Sequence, residues 1–249
     1  MRKLFAIFLF IFGLPAFASE GVPLKQVIWP FDGAFGTVDR TSAQRGFQVY
    51  KEVCSACHGL QHLSYRNLKD IGITEAEIKE IAKAYTVTDG PNAQGEMFQR
   101  PALPSDKFVS PFANEEAARA ANNGAYPADL SLIIKARQDG ANYLYSLLTG
   151  YENAPPGAAK VPDGLYYNKY FPGNHIAMPQ PLSDGQVQYA DGTVATVDQM
   201  SRDVVAFLQF AAEPEMEHRK SMGLKSMIYL LIFTVLFYVV KNRIWARLK

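Results

Sequence analysis

The chain has 249 residues, 48% of them hydrophobic and 20% charged, with a formal net charge of +1. That length and apolar content suffice for one domain with a real core. Only two cysteines are present, which excludes a four-thiolate zinc site.

Taken in chain order, the start reads as a secretory signal. Arg2 and Lys3 precede an apolar stretch over residues 4–14, and Ala16-Phe17-Ala18 offers a small-x-small cleavage site. The stretch is short for a retained span, so residues 1–18 are expected to be removed. A basic, apolar start without transit-peptide character points to export from a bacterium.

Thr41 is placed to cap a helix with Phe47, Tyr50 and Val53 on its apolar face. The helix runs into Cys54-Ser55-Ala56-Cys57-His58. Cys-x-x-Cys-His is the signature of covalent haem c attachment. Two thiols at that spacing reach the two vinyl groups of one porphyrin, and the next residue supplies a proximal imidazole. A redox-active thiol pair with a chance histidine is the competing reading.

Further along, Thr74 and Glu77 form a capping box before Ile78, Ile81 and Ala82. Asn114 precedes Glu115, Glu116 and an alanine-rich turn. Leu144, Leu147 and Leu148 share one face of a helix ending near Gly150. Turn residues punctuate 89–92, 101–104, 155–157, 172–174 and 179–181. Residues 186–189 and 193–196, separated by Asp191-Gly192, suggest a small β-hairpin. A helix beginning after Thr196 carries Val197, Val204, Val205 and Leu208 at helical spacing. Gly46 marks a place where this helix and the first can approach closely. The expected fold is mainly α, a cytochrome c-like haem domain with long irregular loops and a small β-hairpin.

Residues 224–240 are apolar apart from Lys225, Ser226, Thr234 and two tyrosines, and span about 25 Å at about 1.5 Å per residue. That approaches the thickness of a hydrocarbon core. Lys225 and Lys241 can extend their ammonium groups to the interfaces, and Trp245 suits the same layer. Lys241, Arg243, Arg247 and Lys249 follow the span without an acid, which sets the C-terminus in the cytoplasm. The expected organisation is a signal at 1–18, a periplasmic domain at 19–223, a transmembrane helix at 224–241 and a basic tail at 242–249.

This topology exposes a charge asymmetry. All 24 acids lie between Glu20 and Glu217, whereas seven bases belong to the signal or the anchor region, leaving the exported part at a net charge of −6. An acidic domain argues against nucleic acid or anionic lipid as partner and favours a basic protein.

A haem iron used for electron transfer takes a second axial ligand, and a thioether favours its reduced state. Met97, Met178, Met200 and Met216 are candidates, with His62, His175 and His218 as nitrogen alternatives. Met178 lies in Ile176-Ala177-Met178-Pro179-Gln180-Pro181, where the prolines stiffen an extended loop.

Beyond these local readings, several segments resemble the cytochrome c1 family. They are Arg45-Gly46-Phe47-Gln48-Val49-Tyr50 running into the Cys-x-x-Cys-His motif, Asp89-Gly90-Pro91, Glu96-Met97-Phe98, the stretch Ala117-Ala118-Arg119-Ala120-Ala121-Asn122-Asn123-Gly124, Leu147-Leu148-Thr149-Gly150-Tyr151, Tyr170-Phe171-Pro172-Gly173, Ala211-Ala212-Glu213-Pro214-Glu215, and Met222-Gly223-Leu224-Lys225. The resemblance implies one haem c bound through Cys54 and Cys57, with His58 and Met178 as axial ligands. It implies Arg137 and Tyr143 near a haem propionate, and Asn122, Pro127 and Phe171 lining the pocket. Some bacterial relatives carry an extra disulfide, for which this chain has no cysteine left.

The same resemblance implies an electron-transfer subunit of the ubiquinol–cytochrome c reductase (bc1) complex. Its partners would be cytochrome b, the Rieske iron–sulfur protein as donor and cytochrome c as acceptor, in a dimeric complex, with no complete catalytic site in this chain alone. A free-standing, membrane-anchored cytochrome c serving an oxidase is the alternative. An exported thiol–disulfide oxidoreductase and a haem-based gas sensor with an open sixth position are further competitors.

Overall fold

The computed structural model describes residues 22–158 and 160–247. The expected signal at 1–18 lies outside them.

Helix α1 (Arg40–Glu52) is capped by Asp39, whose Oδ1 accepts from the amides of Thr41 (3.0 Å) and Ser42 (3.3 Å). The cap is therefore Asp39, two residues before the expected Thr41. A carboxylate there also meets the positive end of the helix, which a threonine hydroxyl does more weakly. Ala43, Gly46, Phe47, Val49 and Tyr50 are buried along one face. A 3-10 turn, Cys54–Ala56, follows directly, and a second, Tyr65–Ile71, leads to α2 (Glu75–Lys83). The Thr74–Glu77 capping box at the start of α2 is present in both directions.

Strands β1 (Thr86–Asp89) and β2 (Phe98–Pro101) form an antiparallel hairpin with Thr86 opposite Pro101. Then come α3 (Glu115–Ala121), capped by Asn114 as expected, α4 (Ile133–Ala136) and α5 (Gly140–Leu148). A two-residue pair, β3 (Tyr166–Tyr167) with β4 (His175–Ile176), closes the loop before Met178. Helix α6 (Val197–Ala212) is capped by Thr196, and α7 (Met216–Ala246) completes the chain.

The expected hairpin over 186–196 is absent. Val187 and Tyr189 do point inward, at 3% and 4% exposure. No ladder forms because Thr193 N–H turns onto the Asp191 side chain (2.9 Å) and Thr196 is committed to capping α6. The strands lie elsewhere, over 86–101 and 166–176.

The core centres on the crossing of α1 and α6. Gly46 makes that crossing possible, since a Cβ there would lie 1.9 Å from the Asp203 carbonyl oxygen and 2.8 Å from Phe207 Cβ. Phe47 and Tyr50 meet the Phe207 ring at centroid distances of 5.5 and 5.7 Å. Beside them the Arg45 guanidinium grips the Asp203 carboxylate with two donors, at 2.9 and 3.0 Å, and Asp203 is fully buried. A planar fork on a buried carboxylate satisfies both charges at once. Arg45 also donates to Asp191 (2.9 Å), tying the 184–196 loop to the same crossing.

Helix α7 begins within the domain and leaves it. Met216 is buried, and Glu217 Oε1 accepts from the Val38 amide (2.9 Å) while Oε2 pairs with Arg40 (3.1 Å). Lys220 Nζ donates to the carbonyls of Phe31 (2.7 Å) and Gly36 (3.0 Å). Beyond these contacts the helix is exposed along its length, and it is long and apolar enough to cross a membrane.

Candidate haem site

Because α1 runs straight into the Cys54–Ala56 turn, the motif is held by the helix that forms the core. The amides of Cys57 (3.1 Å) and His58 (2.9 Å) both donate to the Cys54 carbonyl, so the turn is tight and brings both thiols and the imidazole to one end of α1. Tyr50 on α1 donates to the His58 carbonyl at 3.0 Å, which ties the motif back to the core.

The imidazole is oriented by backbone. His58 Nδ1 lies 2.7 Å from the Ala128 carbonyl oxygen. A carbonyl only accepts, so this contact fixes the proton on Nδ1 and leaves Nε2 with a free lone pair. Burial lowers the imidazole's proton affinity, opposed in part by that same hydrogen bond. A neutral, oriented imidazole with Nε2 free is the form a metal ion takes.

Ala128 is itself clamped. The Asp129 carboxylate accepts from the amides of Gln61 and Ser131, each at 2.9 Å. Ser131 Oγ accepts from the His62 amide (3.0 Å), and the Leu130 amide donates to the Gly59 carbonyl (2.9 Å). Three of these hydrogen bonds stitch 129–131 to Gly59, Gln61 and His62, just after the motif. Sequence reasoning missed this clamp, because a backbone carbonyl carries no residue-type signature. The Ser131 and Asp129 side chains beside the motif were its only readable trace.

Chemically, Cys54 is poorly suited to redox exchange. Burial, and then the neighbouring Cys57, push the Cys54 thiol up to about 12. A catalytic thiol needs the opposite shift to be a thiolate at neutral pH.

Among the other expected residues, Pro127 shares a cleft with Cys57, Gly59, Tyr126 and Asp129. Met178 is half-buried against the same core cluster as Cys54, Tyr143 and Phe171. Its carbonyl accepts from Tyr151 Oη at 3.0 Å, so the loop is pinned just past the end of α5. The remaining methionines are occupied or remote. Met200 is fully buried in α6, Met216 packs beneath Gln209 at 3.6 Å, and Met97 is 61% exposed beside the β1–β2 hairpin. Of the histidines, His62 and His218 are exposed, and His175 lies on β4 edge-on to Tyr167. Met178 alone of the four methionines is a half-buried side chain on a loop.

Arg137 sits exposed at the end of α4, its Nη1 on the Ala136 carbonyl (3.2 Å), with its other donors open to a carboxylate. Asn122 is less available, since its amide donates back to Ala118 O at 2.7 Å and finishes α3. The donor set of two thiols and an Nε2-free imidazole, with half-buried apolar side chains packed on the same core, fits a covalently held haem.

Comparison with known proteins agrees. The cytochrome C1 family model matches residues 29–248. The chain is 47% identical to cytochrome c1 of Rhodospirillum rubrum, covering 95% of this chain and 93% of that one. It is 48% identical to the cytochrome b-c1 complex catalytic subunit, mitochondrial, of Candida albicans, over 93% of this chain and 81% of that protein. It is also 48% identical to the cytochrome b/c1 protein of Bradyrhizobium diazoefficiens, of which it spans only 35%.

Proposed function

The chain belongs to the cytochrome c1 family, and from that membership we propose that it relays single electrons through one haem c, from the Rieske iron–sulfur protein to cytochrome c. In this reading it acts beside cytochrome b in a membrane-bound, dimeric bc1 complex. When bound, haem c supplies a one-electron iron couple. The chain's own residues hold and shield it. Cys54 and Cys57 would hold it through thioethers, and His58 Nε2 and the Met178 thioether would ligate its iron. Arg137 meets a propionate as a planar fork, with Tyr143 beside it, and Pro127, Phe171 and Asn122 border the pocket. The observation that carries the reading is the His58 imidazole tied through Nδ1 to Ala128 O at 2.7 Å, at the end of the helix that forms the core.

The pyridine haemochrome spectrum of the purified full-length protein tests this. Covalent haem c, in a preparation that brings cytochrome b and the Rieske protein with it, is the expected result. Titratable thiols without visible absorption would return the motif to redox chemistry, and a haem protein that purifies alone would favour a free-standing cytochrome.

We place the haem domain in the periplasm, α7 across the inner membrane and the basic C-terminal turn in the cytoplasm. The working boundary then lies after the Lys220 clamp. A chain ending after Ser221 is expected to be soluble and to keep its visible spectrum. A chain ending after Glu217 loses the two Lys220 hydrogen bonds. Hydrogen bonds to a charged group contribute about 1.5–3 kcal/mol, so its thermal midpoint should fall by several degrees. Equal midpoints for the two truncations would show that the clamp adds nothing.

The acidic domain should steer a basic acceptor. The second-order electron-transfer rate with a basic cytochrome c is expected to fall as salt shortens the screening length from about 30 to about 8 Å, with the haem potential little changed. Stopped-flow rates that stay flat across that range would refute steering. Glu115 is paired with Arg119 (2.6 Å) and Asp129 is bound by backbone amides, which leaves Glu116 the most available acid near the cleft.

A further inference from the structure

We propose that the loop over residues 30–37 is a second membrane contact, with Phe35 seated in the interfacial layer of the bilayer that α7 crosses. The proposal rests on reading α7 as a membrane span.

The loop is compact, closed by the Thr37 amide on the Pro30 carbonyl at 3.0 Å. Its aromatic residues divide. Phe31 turns inward at 6% exposure and stacks on Trp29 at 5.3 Å, while Phe35 stands 80% exposed. One exposed phenylalanine is ordinary on a protein surface. Its position relative to α7 is what gives this one a meaning.

Lys220 Nζ donates to the carbonyl of Gly36, the residue after Phe35, and to that of Phe31. Lys220 precedes Leu224, the first residue of the apolar run, by one helical turn, or about 6 Å. The run from Leu224 to Val240 covers about 25 Å of a hydrocarbon core about 30 Å thick. That deficit draws the flanking residues towards the membrane. The headgroup layer adds roughly 5–8 Å on each side. Lys220 and the two carbonyls it binds therefore fall at headgroup depth, beside the headgroup–acyl boundary into which interfacial segments insert Trp, Phe and Leu side chains.

Lipid is the occupant the observations favour. The loop borders α7, whose surface beyond Leu224 is exposed and apolar, so Phe35 continues a lipid-facing surface. Seating an apolar ring at the interface needs no anionic lipid, in keeping with the acidic domain.

Spin labels on single introduced cysteines test this in the haem-loaded full chain, with collision rates to oxygen and to a water-soluble nickel chelate measured in phosphatidylcholine nanodiscs and in the assembled complex. Phe35→Cys carries the question. Leu231→Cys, in the middle of α7 and 67% exposed, reports whether the helix spans. Val194→Cys, 75% exposed beside the opposite end of α6, about 24 Å from the start of α7, is the aqueous reference. The expected result is a severalfold higher oxygen-to-nickel ratio at Phe35 than at Val194 in both preparations, with Leu231 higher still. An aqueous ratio at Phe35 with Leu231 in lipid overturns the loop contact and leaves the span standing. An aqueous ratio at Leu231 overturns the span and the proposal with it. A Phe35 label shielded from both agents in the complex overturns lipid in favour of a neighbouring subunit.

Discussion

Met178→Leu is expected to leave a folded haem protein with a lowered potential and a newly reactive iron. Leucine nearly conserves the volume of methionine, and such swaps cost less than about 1.5 kcal/mol even in a core. Met178 is only half-buried, and the pin on its loop is its own carbonyl, which any residue supplies to Tyr151. Packing and backbone therefore survive, and what disappears is a lone pair. Axial ligation moves haem potentials over a range of about 0.8 V. Exchanging a thioether for water, nitrogen or nothing should lower this one by on the order of 0.1 V or more. Reduced protein should also begin to bind carbon monoxide. Redox titration and a carbon monoxide difference spectrum are the measurements. A variant that keeps the wild-type potential and resists carbon monoxide would remove Met178 from the site.

Sequence could single out Met178 as a candidate and could not single out Ala128, for a chemical reason. A thioether on a proline-stiffened loop is visible as a residue type in a context. The carbonyl that orients His58 belongs to an alanine, and any residue there offers the same acceptor. Its position depends on Asp129 and Ser131 bonding across to 61 and 62, a long-range match that local pattern does not encode. The clamp on α7 escaped for a related reason. Glu217 and Lys220 beside an apolar run read as ordinary interfacial charges, and only the fold shows them bonded to Val38, Phe31 and Gly36.

Helix starts were legible where one short side chain closes on an amide two or three residues ahead, as at Thr74, Asn114 and Thr196. Asp39 and Thr41 are both cap formers, and local sequence could not rank them. Short strands fared worst. The β1–β2 pair leans on Arg100, which bonds Asp89 and, at 2.6 Å, Asp106, a set of ion pairs with no period to detect. The 186–189 segment has strand-like alternation, yet packs its inward residues on the core without a partner strand.

Gly46→Ala should damage the fold although it adds only a methyl group. Two effects oppose each other. Alanine improves intrinsic helix propensity by about 1 kcal/mol over glycine. Against that, its Cβ would sit 1.9 Å from the Asp203 carbonyl oxygen, which is backbone in the middle of α6 and cannot rotate aside. The helices must separate, and separation also pulls Arg45 from the buried Asp203 carboxylate and loosens the rings around Phe207. Overpacking alone costs about 1–3 kcal/mol, and breaking a buried ion pair is strongly destabilising, at about 3–5 kcal/mol. The net loss should therefore exceed about 2 kcal/mol even if the ion pair is only stretched. For a domain of this size that lowers the thermal midpoint by about 4–8 °C or more. Gly223→Ala on α7 is the control, since nothing lies within 4 Å of a Cβ there. Its midpoint should match or slightly exceed wild type, since there the propensity gain meets no clash. If calorimetry of the haem-loaded protein finds the two variants alike, the α1–α6 crossing has room the structure denies, and Gly46 owes its place to something other than close approach.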